Sequence, residues 1–563
     1  MKKTFLLSCL MLAAMPVMAA YTGHVYVDKN KNGVFDQSEK PLAGIKVSDG
    51  LNVVETAADG SFTLPGHERE RFIFITTPSG YKTFNRHYHK IEKKQSGYDF
   101  GLIPYSGRIR KDGSHRYIHI TDTEIFNTEN HADWVNNVHD YARNEQAAFI
   151  IHTGDICYEK GLKAHIKLMN TENMDCPVFY CIGNHDLVKG KYGEELFESI
   201  YGPVYYSFDA GNVHYVVTPM PGGDHAPGYT SDDVCRWLKN DLTHIRPGTP
   251  VVVFNHDLLT YEDTFIFKSK NAGSINLNEY NLKAWVYGHW HINYMKKQGD
   301  VYSVCTSSLD KGGIDHSTTA FRVMHVDSKG DFTSELRYTY LDKNICIASP
   351  AGVMASGVLP VAVNVYSSVS PVREVLYTCL ADGKPVLKNK RLLQSTDWSW
   401  NGELPLSHKY VGKELTLRVT ARFNNGEIAE AESNFICRTE KTVPLFSADW
   451  DNLSGNAKHS APVSAPLNLP LQLAWTNNVG ANLYMTSPLI HKGKVIVASV
   501  DEDLKGAGHV YALNGKDGTI LWSCPVRNSI KNSIAVDSDI VFAQDAQGFL
   551  YAIDTETGKL CWE

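Results

Sequence analysis

Five short motifs near the middle of the sequence carry the side chains best suited to do chemistry: Asp122-Thr123-Glu124, Gly154-Asp155, Gly183-Asn184-His185-Asp186, Asn255-His256 and Gly288-His289-Trp290-His291. Each follows directly on an apolar run that reads as a strand, and strand ends are where the sites of α/β domains collect. One Asp or His at a strand end is ordinarily a turn former or a cap. Five such ends in succession supply carboxylates, an amide oxygen and imidazoles, the mixture of hard and borderline donors that suits Mn, Fe or Zn. The sequence offers no P-loop, no G-x-S-x-G elbow and no Cys-x-x-Cys metal knuckle, so those chemistries have no motif to rest on.

A second constellation lies near the N-terminus. In DKNKNGVFDQSE, Asp28, Asn30, Asn32, Gly33, Asp36 and Glu39 occupy positions one, three, five, six, nine and twelve of the calcium-loop pattern. Oxygens at that spacing wrap one Ca²⁺, and Gly33 permits the sharp bend. The plainer reading is a polar turn rich in Asn and Asp, because strands flank it where an EF-hand has helices.

The elements that must position these groups fall into blocks. Residues 21–105 read as short strands broken by Gly, Pro, Asn and Asp (GHVYVD, GIKVSDG, GSFTLPG), a small β-sandwich. Residues 115–342 alternate apolar strands with helical stretches, RYIHITDTEI before HADWVNNVHDYARNEQ and AAFIIHTGDI before LKAHIKLMNT, which predicts an α/β domain of sheets covered by helices. Residues 345–440 return to β-like segments and predict a second sandwich. Residues 465–563 contain a repeat: GHVYALNGKDGTILW from Gly508 recurs as GFLYAIDTETGKLCW from Gly548, aligning Tyr511 with Tyr551, Gly518 with Gly558 and Trp522 with Trp562. A period of about 40 residues is that of propeller blades. The stretch resembles the blades of quinoprotein-like β-propellers, and two such repeats form an incomplete ring from which no cofactor is inferred. The N-terminal block is similar to calcium-stabilised B repeats of surface proteins and to the domain that precedes certain bacterial calcineurin-like phosphoesterases.

The order D-x-[H], G-D, G-N-H-D, H, G-H-x-H across residues 115–342 resembles that of the calcineurin-like metallophosphoesterases. The resemblance implies an α/β/β/α sandwich in which Asp155 bridges two divalent metal ions. Asp122, Glu124 and His291 would complete one site, and Asn184, His256 and His289 the other. Glu124 departs from the family, which usually has His there. A carboxylate is harder than imidazole and adds negative charge, so the metal preference should move from Fe or Zn toward Mn or Mg, with Mn expected. Two cations about 3.5–4 Å apart would hold a bridging hydroxide that attacks a phosphoester in line. By the same resemblance His185 stabilises the transition state or protonates the leaving oxygen, with Asp186 fixing its tautomer or serving only as a turn carboxylate. His119 and His152 read as support behind the ligands, and Tyr158, Trp290 and Tyr294 as pocket lining or packing.

The expected activity is hydrolysis of a phosphomonoester or phosphodiester, on a small molecule or a polymer. The alternative is a non-catalytic surface or periplasmic binding protein with a degenerate metal site, which Glu124 and the accessory domains support. MKKTFLLSCLMLAAMPVMAA has two lysines, an apolar run and small closing residues, the layout of a signal peptide over residues 1–20. This predicts a secreted or periplasmic protein. Anchoring through Cys9 fits less well because the apolar run continues past it. No later stretch reaches the roughly 20 apolar residues of a spanning helix. A net charge of -7 gives no drive toward a stable nucleic-acid complex. The scattered cysteines read as buried thiols, and alternation along CPVFYC argues against a Cys176–Cys181 bridge.

Overall fold

The computed structural model describes residues 20–93, 95, 97–439, 448–461 and 472–563. Residues 1–19 of the expected signal peptide, Cys9 among them, lie outside the described residues, as does the start of the block expected at residue 465.

The N-terminal block is built from two sheets. In one, Tyr21–Val27 pairs with Ser61–Leu64, with Lys40–Pro41 and in parallel with Phe100–Pro104; the other orders Val53–Glu55, Lys46–Ser48, Phe72–Ile75 and Tyr88–Lys90. Val25, Val47, Phe62, Leu64, Ile73, Ile75, Phe100 and Leu102 meet in its core.

The α/β block contains two facing sheets. The first runs Val178–Tyr180, Ile150–His152, His115–Ile120, Ala320–Val326 and Phe332–Tyr338, with the first three parallel. The second runs Tyr206–Ala210, Val213–Val217, Val251–Phe254, Leu282–Tyr287, Val301–Cys305 and Tyr294–Gln298. Strand alternation sorts side chains into layers. Tyr117 and Phe149 point inward and meet Tyr215 and Phe254 of the second sheet, with centroids 5.0–6.4 Å apart. Their neighbours Ile118 and Ile150 point outward, onto Trp134, Val138 and Tyr141 of the helix Ala132–Asn144 and Leu162 of the helix Tyr158–Leu168.

On the other side, His214 turns away from the first sheet and bonds Asp241 at 2.8 Å on the helix Ser231–Thr243. That helix starts at a capping box: Asp233 N–H donates to Thr230 Oγ1 at 3.2 Å, and Thr230 N–H to Asp233 Oδ2 at 3.0 Å. With both sheets covered, their central strands are buried on both faces, as parallel sheets require. The layering is the α/β/β/α sandwich expected from the sequence.

Residues 344–438 form a second sandwich of four and five strands around Val361, Val363, Leu404, Leu417 and Val419. The C-terminal repeats are two four-stranded antiparallel meanders, Leu489–His491 to Ile520–Pro525 and Ala535–Asp537 to Leu560–Trp562. The aligned glycines have a common purpose: the Cα of Gly518 lies against the Trp475 indole and that of Gly558 against Trp522, and a Cβ would come within 2.2 and 2.7 Å of those rings. The repeats bind directly to the α/β block through Asn528 Nδ2, which donates to Met295 O at 3.0 Å, and an Arg322–Asp503 ion pair of 2.7 Å. Cys176 and Cys181 are both free thiols, and among the ten described cysteines only Cys346 and Cys561 are exposed.

Candidate metal centre

The five strand ends converge on one point, and glycines let them do so. A Cβ on Gly183 would fall 2.2 Å from Asp155 Oδ1, and one on Gly288 would fall 1.9 Å from Thr121 Oγ1 and 2.6 Å from Asp122 Oδ2. Five of the seven ligand-type residues are held in the left-handed region, with φ of 51° at Asp122, 44° at Glu124, 53° at Asp155, 63° at His289 and 51° at His291. That conformation costs a non-glycine residue about 1–2 kcal/mol, and such strain concentrates at functional sites.

The hydrogen bonds reveal what the site lacks. Asp122 Oδ2 accepts from Thr121 Oγ1 at 2.8 Å and from His289 N–H at 3.0 Å, while the buried Oδ1 has no hydrogen-bond partner. That Oδ1 lies 3.3 Å from His291 Nε2 and 3.9 Å from His256 Nε2. His256 Nδ1 is 2.7 Å from Thr153 O, so it carries a proton and donates there, and Nε2 is the nitrogen turned toward the carboxylates. Nε2 in turn lies 3.1 Å from Asp155 Oδ2 without the alignment of a hydrogen bond. Asn184 Oδ1 is likewise buried and unpartnered. Three buried atoms from three motifs, Asp122 Oδ1, His256 Nε2 and Asn184 Oδ1, are thus left without a hydrogen-bond partner, an arrangement that costs about 1–3 kcal/mol per group unless a cation fills it. Donor atoms of Asp155, His256 and His289 all lie within 4.8 Å of one another, and those of Glu124, Asp155 and Cys157 form a second such group. Asp155 is common to both. These residues fit divalent cations.

The electrostatics agree. Burial alone would lower the His256 pKa, but the carboxylates of Asp155 and Asp122 outweigh it and push it up to about 9. Burial would raise Asp155, yet the facing His256 pulls it below its ordinary value. His291 is raised by the neighbouring Asp122 carboxylate, 3.3 Å away. The pocket draws positive charge.

The structure brings Asp122, Glu124, Asp155, Asn184, His256, His289 and His291 to this centre, with Glu124 Oε1 3.7 Å from His291 Nε2. The expected pairing of His185 with Asp186 is absent. Asp186 turns inward and accepts N–H groups from Cys157 at 2.8 Å and Gly183 at 2.9 Å, so it fixes the turn that presents Asn184. Burial, then the nearby Asp155 charge, raise Asp186 to about 7. His185 turns outward instead, with Nδ1 2.9 Å from Asp224 Oδ2. Sequence reading missed Asp224. Its signal lies one residue earlier: Gly223 is pressed against Asn184, where a Cβ would come within 2.3 Å of the Asn184 carbonyl. Lys311 was missed too; its Nζ donates to Glu124 Oε2 at 2.8 Å.

Around the ligands, His119 bonds Thr153 and Thr306 at 2.8 Å each, and His152 bonds Thr123 at 3.0 Å; both rings are buried behind the centre. The Tyr158 ring is exposed and stands 5.3 Å from that of His185, whereas the Trp290 indole donates to Asp257 at 3.1 Å. The calcium-pattern loop is closed on itself. Asp28 accepts N–H groups from Asn32 and Gly33, Glu39 from Lys29 and Asp36, and both Asn30 and Asn32 amides reach Asp36 Oδ2, at 2.7 and 3.1 Å.

With this geometry in view, the comparisons with known proteins fall into register. Residues 29–104 match the family described as N terminal of calcineurin-like phosphoesterase, residues 115–293 match calcineurin-like phosphoesterase, and residues 472–563 match outer membrane protein assembly factor BamB. Purple acid phosphatase 13 of Arabidopsis thaliana is 26% identical over 215 residues, which is 36% of this chain and 36% of the plant protein, so the match spans about a third of that relative. Among solved structures, a conserved uncharacterized protein of Streptococcus pneumoniae TIGR4, described as a predicted phosphoesterase, aligns with 40% of this chain and 98% of its own at 10% identity and a TM-score of 0.19. BamB from Moraxella catarrhalis aligns with 43% and 54% at 11% identity and a TM-score of 0.13. The motifs, the layers around them and the matched segments together place a calcineurin-like phosphoesterase domain at residues 115–293, with that family's N-terminal domain before it and a BamB-like repeat region after it.

Proposed function

We propose that the protein is an exported, two-metal phosphoester hydrolase with a preference for manganese. The observation that carries this reading is the trio of buried, unpartnered ligand atoms, Asp122 Oδ1, Asn184 Oδ1 and His256 Nε2, the last of them 3.1 Å from Asp155. A vestigial site would be expected to repair such atoms with internal hydrogen bonds, which speaks against a purely binding role. Asp155 would be shared, Asp122, Glu124 and His291 would hold one ion, and Asn184, His256 and His289 the other. Bound divalent cations supply Lewis acidity toward phosphoryl oxygens and an activated water.

The chain's own residues do the rest. In hydrolysis a water oxygen bonds to phosphorus, the ester P–O bond breaks, and the departing oxygen takes a proton. His185 is placed to give it. Burial opposes protonation of His185, but Asp224 and Asp155 outweigh it and raise the pKa. With Nδ1–H held by Asp224, the cationic ring has Nε2–H left to donate. Asp224 fixes the ring and favours its cationic form, the role sequence reading offered to Asp186.

Export rests on the lysine–apolar–small pattern of residues 1–20. A structural Ca²⁺ at Asp28, Asn30, Asn32, Asp36 and Glu39 would have to replace the hydrogen bonds these side chains make within the loop; chelating calcium should then lower the Tm by a few degrees, and an unchanged Tm would mark the loop as a self-closed turn. The hydrolase reading is tested with p-nitrophenyl phosphate and its bis ester. Nitrophenol release that requires Mn²⁺ and disappears in His185→Ala while metal content persists supports it. Inactivity toward both esters with every divalent ion tried would refute it.

A further inference from the structure

Glu124 stands where an imidazole is usual, and the structure shows that its charge is already partly spent. Oε1 faces the ligand set, 3.7 Å from His291 Nε2, while Oε2 accepts from Lys311 Nζ at 2.8 Å. The same ammonium reaches the Glu124 backbone carbonyl at 3.2 Å, so Lys311 grips both ends of a residue held at φ 44°. Lys311 is not a loose surface cation that happens to be near. It sits on a loop fastened at two points: Ile314 N–H donates to the His291 carbonyl at 2.9 Å, and Asp315 is paired at 2.7 Å with Lys531 of the C-terminal repeats. Lys531 is itself locked by Glu502 at 2.7 Å and by the Asn293 carbonyl at 2.7 Å. The repeat region therefore braces the loop from which Lys311 reaches the centre.

We propose that Lys311 is a positioning residue for the metal centre: it occupies one oxygen of Glu124, leaves the other as a single donor to the ion, and offsets the negative charge that Glu124 adds in place of imidazole. This rests on the two-metal reading above. The consequence is a weakened first site, because a cation beside a ligand carboxylate competes with the metal for it. Glu124 and Lys311 then act as one unit whose net charge matches that of a neutral imidazole.

The test is a manganese titration of the metal-stripped full chain by calorimetry, with Tm at saturating Mn²⁺ as a second readout. Lys311→Met should tighten the weaker Mn²⁺ site by about tenfold and enlarge the Mn²⁺-induced rise in Tm, whereas Lys311→Arg should leave both near the starting value. In a Glu124→His background, Lys311→Met should shift affinity by much less, since the cation has lost its partner. Equal shifts in the two backgrounds, no shift, or weaker binding in Lys311→Met would overturn the proposal while leaving the two-metal reading intact. Failure of the unaltered chain to take up Mn²⁺ would overturn both.

Discussion

Two buried histidines of the α/β block look alike by charge and differ by hydrogen bonding. His214 sits between Asp209 at 2.7 Å and Asp241 at 2.8 Å; His256 sits beside Asp155 at 3.1 Å and Asp122 at 3.9 Å. In each case burial would lower the pKa, and carboxylates outweigh it to give about 9. Yet both nitrogens of His214 are bonded, and Asp241 is further satisfied by Ser207 at 2.8 Å, whereas His256 Nε2 is left without a partner. The first is a finished ion triad tying a strand to a helix. The second leaves His256 Nε2 without a partner, the arrangement that a cation would complete. Perturbed pKa values alone do not separate a structural cluster from a metal site; saturation of donors and acceptors does.

The comparison can be broken most forcefully at its carboxylates. Asp155→Ala should abolish metal uptake and lower hydrolysis on the order of 10⁴-fold, with little loss of Tm in the metal-free chain, because the buried charge it removes gives up one backbone hydrogen bond, from His185 N–H at 3.0 Å, and relieves a costly desolvation. A variant that keeps its metal and its rate would show that Asp155 is not shared between ions. Asp241→Ala should do the reverse, costing about 3–5 kcal/mol of stability by stranding a buried charge while metal stoichiometry stays unchanged; denaturant unfolding measures the first and elemental analysis the second.

The pH dependence of the two sites should also differ. His214 has a folded pKa of about 9, above its ordinary 6.5, so its contribution is fully present below pH 6.5 and is lost as pH rises through 9. The effect is at most roughly 3 kcal/mol, seen as a Tm that declines between pH 7 and 10 and declines less in His214→Gln. Equal slopes in the two proteins would contradict the triad's role. Smallest is the effect of Asp224→Asn, which keeps the bond to His185 Nδ1 but removes the charge. It should lower kcat about tenfold and leave metal content intact. A change in KM alone would place Asp224 in substrate binding.

Much of this was legible in the sequence, for identifiable reasons. A strand end followed by polar ligand-type residues, in three cases after a Gly, is a local pattern, so the five motifs could be found without knowing how they meet, and the 40-residue repeat announced the meanders. The α/β character followed from strands alternating with helical stretches, and the layering from the family resemblance. What escaped detection depends on distant loops. Asp224 reaches His185 across 39 residues and Lys311 reaches Glu124 across 187, and neither lies in a periodic segment. Asp186 misled because it adjoins His185 in sequence, yet in the short 3₁₀ turn Asn184–Asp186 the two side chains point to opposite sides, one into the core and one toward solvent. The helix Ser231–Thr243 did have a local signal, the Thr230-x-x-Asp233 cap, which a search for starts as well as periodicity would have found.

The most direct test of the central claim is to count metal ions in the purified chain after equilibration with Mn²⁺ and removal of free ion. Two ions per chain in the unaltered protein, falling below two in Asn184→Ala and to none in Asp155→Ala, is the result this account predicts. A metal-free protein whose buried donors at Asp122, Asn184 and His256 stay empty at millimolar Mn²⁺ would contradict it.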